Sequence, residues 1–561
     1  MKKLVALAIL LASAAAYAQQ PPAPKPPSPS TPLPPISESV EISVTSVEVV
    51  VTDRKGRVAG LTRDDFEVRQ DGILQKITNF YAVSGGKVLL EDGKVIGLDE
   101  PAARDELPVE VKARYLIYID NLNIQAQNRN RMFKRLKQWV AQTIGRNAEA
   151  MIVTWNRSLK VRRKFTSEAG DLVGLLEVIE LETGGGSSVA GERRDSLHRI
   201  DESQSAGEAT AIARQYSQSY RNDLVFTTTA LKDTINGLAG VSGRKILIYV
   251  SEGLPSIAGL ELFDAVQQKY RENASSLEQF EFQMDSKYAA IVQAANAQGV
   301  TIWPLDASGL QTNELISAEN RQFETRPSDF VMRTNMQAPL QLMAEQTGGI
   351  AAINTNDWKS NLDELTKDFS NFYSIGYRTS RSAGDRPHSI QVVVKRKGLE
   401  VRSRKGFVEK TIETRTAEAV VAALNYSRDD NPLEVALALG ESAPYDAENF
   451  VIPARVSVPI GKIGLVPVGD MYEGKLYIYF VVLDVSGKQS DLTLREQKVS
   501  VPAAKLKDAQ GKFLPYEVKM LVVPGGQKVS IAVRDGVSNQ VSYVQKNFFV
   551  SVLPKEEKKG N

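Results

Sequence analysis

The sequence predicts an α/β region built on a doubly wound, mostly parallel sheet. A small β domain should precede it and a β-sandwich should follow. Three observations carry this. Between about residues 112 and 380, short runs of β-formers alternate with stretches of helical period, as in strands joined by crossover helices. On either side, apolar and polar residues alternate in short runs broken by Gly, Pro and Asp-Gly turns. Within the central region, the apolar strand Tyr115–Ile119 ends on a carboxylate, Asp120, where a parallel sheet meets its ligand-bearing loops.

The 561 residues are 42% hydrophobic and 24% charged, the balance of a globular chain with three or four domains. Lys2 and Lys3 precede an apolar run from Leu4 to about Ala16, and Ala16-Tyr17-Ala18 precedes Gln19. This is the layout of a secretory signal peptide over residues 1–18, cleaved after Ala18, with an apolar stretch too short for an anchor. Basic and acidic residues number 69 and 67, for a net charge of +2; losing Lys2 and Lys3 brings the mature chain to zero. Neutral balance argues against nucleic acid as a partner. Cysteine is absent, which rules out disulfides, thiolate chemistry and a lipid-modified cysteine. No later run is long and apolar enough to span a bilayer. The expected location is periplasmic or secreted.

Residues 19–36 form a Pro-rich linker, nine prolines falling between 21 and 35, and should be a stiff polyproline spacer. Residues 37–83 read as the small β domain. Val47, Val49 and Val51 alternate, a phase slip at Thr45-Ser46 suggests a bulge or strand switch, and Phe66 and Val68 should point inward between charged neighbours. Residues 84–110 read as a linker. In the α/β region, 111–380, strands are expected at Tyr115–Ile119, Met151–Trp155, Lys245–Val250 and Val300–Leu305. Helices are expected at 128–143, 168–181, about 206–239, 283–298, 336–346 and 358–371, with a mobile loop from Gly184 to Gln204. Residues 381–410 read as a basic hairpin turning at Gly398, and 411–429 as a linker. Residues 430–553 read as the β-sandwich, with Leu476–Leu483, apolar on both alternating sets, at its centre. The charged tail, 554–561, should be disordered.

Four strings bring a family into view: VEVVVTDRKGRVAGLTRDDFEVRQDGILQKITNF, GRKILIYVSEGLP, AEQTGG, and FYSIGYRT followed by HSIQVVVKRKGLEVRSRKGF. By their order and spacing, the middle region resembles a von Willebrand factor type A domain. The chain from about 40 to 550 looks like the acidobacterial proteins grouped as von Willebrand factor A-related. The resemblance implies a metal-ion-dependent adhesion site, in which Mg²⁺ or Ca²⁺ takes oxygen ligands from an Asp-x-Ser-x-Ser loop, a Thr and a further acid. A carboxylate of the partner completes the site. Asp120 matches the first ligand. The two Ser positions fall on Leu122 and Ile124, which have no oxygen to offer, and Asn121 and Asn123 carry amides at the wrong offset. Thr229 matches the Thr, although Ile212, Tyr216, Tyr220, Leu231 and Ile235 can run as one helix through it. Glu252 takes the acidic position. Two readings follow: a metal held by Asp120, Thr229 and Glu252, or a degenerate site without cofactor in which Asp120 accepts backbone N–H bonds.

Other chemistry lacks its residues. The chain has two histidines, His198 and His388, and no HExxH, GxSxG or GxxxxGK[ST] motif. TGGGSS at 183–188 reads as a flexible linker. The hairpin residues Lys395, Arg396, Lys397, Arg402, Arg404 and Lys405 read either as an edge that discourages aggregation or as a patch for an anionic partner. The leading expectation is an exported, non-catalytic binding, adhesion or scaffold protein. Its protein partner would meet Asp120, Asn121, Asn123, Thr229 and Glu252. A structural envelope protein, with the middle region as a spacer, and an enzyme of unrecognised type are the alternatives.

Overall fold

In the computed structural model, strand Ala113–Asp120 has no polar set to turn towards water. Leu116 and Tyr118 face one core, and Tyr115, Ile117 and Ile119 face another. A strand of this kind belongs inside a sheet covered on both faces. It pairs parallel with Ala148–Trp155 on one side and with Arg244–Ser251 on the other. Arg244–Ser251 in turn pairs parallel with Val300–Asp306. Leu159–Thr166 closes the far edge antiparallel to Ala148–Trp155. Helices Ala206–Asn236, Leu260–Tyr270 and Asp285–Gln298 cover one face, and Ala126–Thr143, Ala169–Glu180 and Trp358–Ser370 the other. The described residues are 44–97, 108, 111–145, 147–239, 241, 243–271, 278–310, 329–378, 384–425, 428, 430–446 and 448–551. The expected signal peptide, Pro-rich linker and charged tail lie outside them, as do residues 37–43 and 98–107.

Several expected boundaries are corrected. The segment 184–204 is not a loop: Gly186–Glu202 is a helix, and its Ile200 joins the core under Ala206–Asn236. The segment 84–110 is not simply a linker, because Lys87–Leu90 and Val95–Gly97 extend a sheet and bury Val88 and Ile96 against Val50, Val83 and Phe372.

The residues 381–410 do not form a hairpin at Gly398. Arg386–Val394 pairs with Phe66–Gln70 and Gly406–Glu409, whereas Glu400–Arg402 pairs with Val44–Asp53. The physical reason is burial. Val47, Val49, Val51, Phe66 and Val68 need a covering layer, and Ile375, Tyr377, Ile390, Val392 and Phe407 supply it across the chain. Val44–Asp53 also pairs with Asn371–Arg378, the strand that leaves the α/β region. The N-terminal β residues are therefore stitched to residues 371–409, and described residues from Val44 onward belong to one unit.

In the C-terminal region, two antiparallel sheets close on a shared core. Phe450–Pro459 and Phe513–Val522 belong to one; Met471–Asp484, Gly525–Asp535 and Val541–Val550 belong to the other. Residues 411–429 are also more than a linker. Ile412–Asn425 is a helix whose Ala419, Val420 and Leu424 pack on Tyr479, Val481 and Tyr543, on the outer face of the second sheet. This explains why Leu476–Leu483 is apolar on both sets. Leu476, Ile478 and Phe480 face the inter-sheet core, and Tyr479 and Val481 face the helix.

Candidate functional site

The parallel strands end together on one edge of the sheet, at Asp120, at Ser251 before Glu252, and at Asp306. Loops leaving the C-terminal ends of parallel strands are where open α/β sheets take ligands.

Asp120 does not face that opening. It is fully buried. Its Oδ1 accepts from the backbone N–H of Leu122 at 3.2 Å and of Asn123 at 3.1 Å. Its Oδ2 accepts from Asn123 Nδ2 at 2.8 Å and from the Tyr249 hydroxyl at 2.6 Å. Burial pushes the carboxyl up, and these four donors pull it partly back. The side chain is a clasp for its own loop.

The amides are committed too. Asn121 Oδ1 accepts from Arg129 Nη1 at 3.0 Å, and Arg129 also ties Glu182 O at 2.7 Å. Leu122 and Ile124 are buried in the two cores on opposite faces of the sheet. Thr229 does not join the site. It lies inside helix Ala206–Asn236, between buried Thr228 and Ala230, with its own side chain exposed to solvent. The helical period that runs through it therefore prevails over the match to a ligand loop.

Glu252 does face the opening. Its Oε1 accepts from the backbone N–H of Gln125 and from Asn128 Nδ2, both at 2.8 Å, and its N–H donates to Asn123 O at 2.9 Å. Burial raises its carboxyl, and the neighbouring Asp306 charge adds to the rise. Asp306 holds Ser308 through Oδ1 and Gln337 through Oδ2, the latter at 3.0 Å. It too is raised by burial.

In front of these two acids lies a cavity of about 120 Å³. Helices Gly186–Glu202, Ala206–Asn236, Leu260–Tyr270 and Asp329–Thr347 close it with Arg193, Tyr216, Tyr220, Glu261, Arg333 and Met336. Glu261, in the first turn of its helix, is raised by burial and drawn back by Arg193.

Gly184–Gly186 is not flexible punctuation. A Cβ at Gly186 would stand 2.3 Å from Ile124 O, so only glycine lets this helix approach the 121–125 loop. Gly186→Ala is expected to cost about 1–3 kcal/mol of stability, read from the urea midpoint, because a buried backbone must move.

Sequence reasoning missed Asp306, Glu261, Arg193, Arg333, Tyr216 and Tyr220 as site residues. For Asp306 a signal existed: it ends an apolar strand, as Asp120 does. The tyrosines sit four apart on a helix and read only as core.

The expected basic patch is largely spent within the fold. Arg396 grips Asp65 through two bonds of 2.7 and 2.9 Å, and Lys395 Nζ donates to Asp64 O at 2.8 Å. Arg402 turns inward to Asp368 and to Gly348 O, and Arg404 donates to Ser46 O. Lys397 and Lys405 keep exposed side chains. His388 pairs with Asp71 at 2.7 Å and stacks on Phe407, while His198 lies in helix Gly186–Glu202, 3.2 Å from Glu202.

No protein-family model matches the chain, and no curated protein does. Among solved structures, an aerotolerance-related membrane protein from Bacteroides fragilis NCTC 9343 overlaps 46% of this chain and 98% of its own, at 11% identity and a TM-score of 0.23. The conserved hypothetical protein BatB from Bacteroides thetaiotaomicron overlaps the same shares, at 10% identity and a TM-score of 0.20. A mutant PilB minor pilin from Streptococcus sanguinis overlaps 58% of this chain and 87% of its own, at 7% identity and a TM-score of 0.25. With overlaps this weak, the fold of this chain rests on its own strand order and cores. Among the described residues, no helix is long and apolar enough to cross a membrane.

Proposed function

We propose that this chain is an exported, non-catalytic binding protein. Its α/β region is a von Willebrand factor type A-like domain that takes a group of its partner into the cavity over the parallel strand ends, with no metal at Asp120. One observation carries this reading: the first acid of the resembled site is turned away from the opening and used up, while Glu252 and Asp306 line it. A carboxylate offers about four lone-pair positions, and Asp120 spends its four on internal donors. With Leu122 and Ile124 in the hydroxyl positions and Thr229 on a helix surface, the residues present do not fit a hard divalent ion there. A polar cavity at strand C-termini with converging titratable groups remains the natural place for a ligand.

A structural role is the second reading, favoured by the stitching of residues 44–97 to residues 371–409. Capture from an envelope extract separates the readings. Wild-type protein is expected to retain its partner in the presence of chelator, and Ala190→Trp, which fills the cavity wall, to lose it. Retention by Ala190→Trp moves binding away from the cavity. Loss with chelator alone overturns the metal-free reading.

A further inference from the structure

The cavity lining is unbalanced. Glu252, Glu261 and Asp306 face two guanidiniums, Arg193 and Arg333, and no lysine or histidine lines it among the described residues. Counted as ionised, the three carboxylates exceed the two guanidiniums by one unit, which a cationic ligand would answer.

The acids are available on the cavity side. Glu252 uses Oε1 alone for Gln125 and Asn128, so Oε2 has no partner among the described residues. Glu261, only 6% exposed, receives a hydrogen bond from its own backbone N–H and none from a side chain among the described residues.

A second observation is independent of the acids. Tyr216 is 7% exposed, lines the cavity, and its hydroxyl has no hydrogen-bond partner among the described residues. A buried hydroxyl left unpaired is costly unless something enters to meet it. Its ring lies 5.7 Å from that of Tyr220, and the Glu261 charge is felt by both tyrosines. Aromatic faces beside a carboxylate favour a cation. Leu122, Met332 and Met336 complete the wall with apolar surface, soft enough to follow a methylene chain. A volume near that of engineered cavities that admit benzene has room for the end of an unbranched alkylammonium.

We propose that the cavity takes the protonated amine of a partner's lysine side chain. Glu261 and the free oxygen of Glu252 are its counter-charges, the Tyr216 hydroxyl accepts one of its N–H bonds, and Met332 and Met336 cover the stem. This rests on the cavity being the partner site, and it reverses the sign of the partner group that the family resemblance implies.

The full chain is titrated by calorimetry with Nα-acetyl-lysine methylamide, its norleucine and glutamate counterparts, and alanine methylamide. The lysine compound is expected to bind saturably, and the neutral norleucine compound roughly tenfold more weakly or not at all. Glu261→Gln and Tyr216→Phe should each weaken the lysine compound by roughly fivefold or more, and Ala190→Trp should abolish its binding. Tighter binding of the glutamate compound, or lysine binding indifferent to Glu261→Gln, overturns the amine. Equal binding of alanine methylamide overturns the side-chain assignment. If the glutamate compound binds and Ala190→Trp abolishes it, the cavity reading stands and the amine alone falls. If no compound binds and Ala190→Trp retains the captured partner, both fall.

Discussion

Asp120→Ala is expected to lower the free energy of unfolding by about 3–5 kcal/mol, because it leaves several buried neutral donors without their acceptor. Four donors lose their acceptor at once: the N–H groups of Leu122 and Asn123, the Asn123 amide and the Tyr249 hydroxyl. Each unsatisfied buried donor costs about 1–3 kcal/mol, less whatever a water entering the void recovers. The urea midpoint should fall while the slope stays near the wild-type value. If Asp120 were instead a metal ligand, the variant would cost mainly divalent-ion affinity and the apo protein would be little destabilised. A stability loss below about 1 kcal/mol therefore sinks the clasp.

The same group sets a pH signature. Its native pKa lies above the ordinary value because burial penalises the charge. Between the ordinary value and the raised one, the native state keeps a proton that the unfolded chain has released. Its contribution to stability therefore falls as pH rises through that window. Asp120→Asn is neutral throughout, so the stability difference between wild type and this variant should shrink as pH climbs from about 4 towards the raised value. In the protonated native form one donor must reverse, and the Tyr249 hydroxyl is the partner able to accept. A difference that grows with pH over the same window contradicts this account. Tyr249→Phe should extend the dependence to higher pH, since it removes a donor that favours the ionised carboxyl.

Much of the sheet was legible because its signal is local. Tyr115–Ile119 is an unbroken run of β-formers, and a strand buried on both faces needs nothing else to announce it. The failure of Leu122 and Ile124 as ligands was also legible, because it concerns residue type and not placement. Thr229 was not decided by sequence alone. A ligand loop and a continuing helix use the same residues, and only the burial of Thr227, Thr228, Ala230 and Leu231 along one face settles it.

What failed concerned partners distant in sequence. The turn at Gly398 is real, with φ of 80°, and suggested that the flanking strands pair with each other. Each instead pairs with residues more than 300 positions upstream, where Val49, Val51, Phe66 and Val68 offer more apolar surface to cover. A hairpin rule weighs only loop closure, which favours near neighbours. The buried area available elsewhere outweighs it. The charges of Arg396, Arg402 and Arg404 were misread for the same reason, since their acceptors, Asp65, Asp368 and Ser46, come from other parts of the chain.

Asp368→Ala is the second variant expected to have a large effect, and it tests that long-range stitching. Asp368 sits in the last turn of helix Trp358–Ser370, where the helix dipole disfavours a carboxylate, and it is 1% exposed. Arg57 and Arg402 hold its two oxygens, and Arg244 donates to its backbone oxygen at 3.0 Å. The three arginines come from the N-terminal β residues, from strand Glu400–Arg402 and from the first residue of strand Arg244–Ser251. Arg402 also lies 5.6 Å over the Trp303 ring, and Arg244 lies 4.8 Å over Phe372. Removing the carboxylate leaves Arg57 with Glu364 as its remaining partner and strands the Arg402 guanidinium beside Arg244, at an expected cost of about 3–5 kcal/mol. A double-mutant cycle with Arg402→Met distinguishes a charge clamp from simple loss of packing. Methionine keeps the stem over Trp303 and removes the charge. The double variant should be less destabilised than the two single losses added together, with a coupling of about 1–3 kcal/mol. Strict additivity would mean that the sheet pairings alone join residues 44–97 to the α/β region, and that the charges at this junction contribute little.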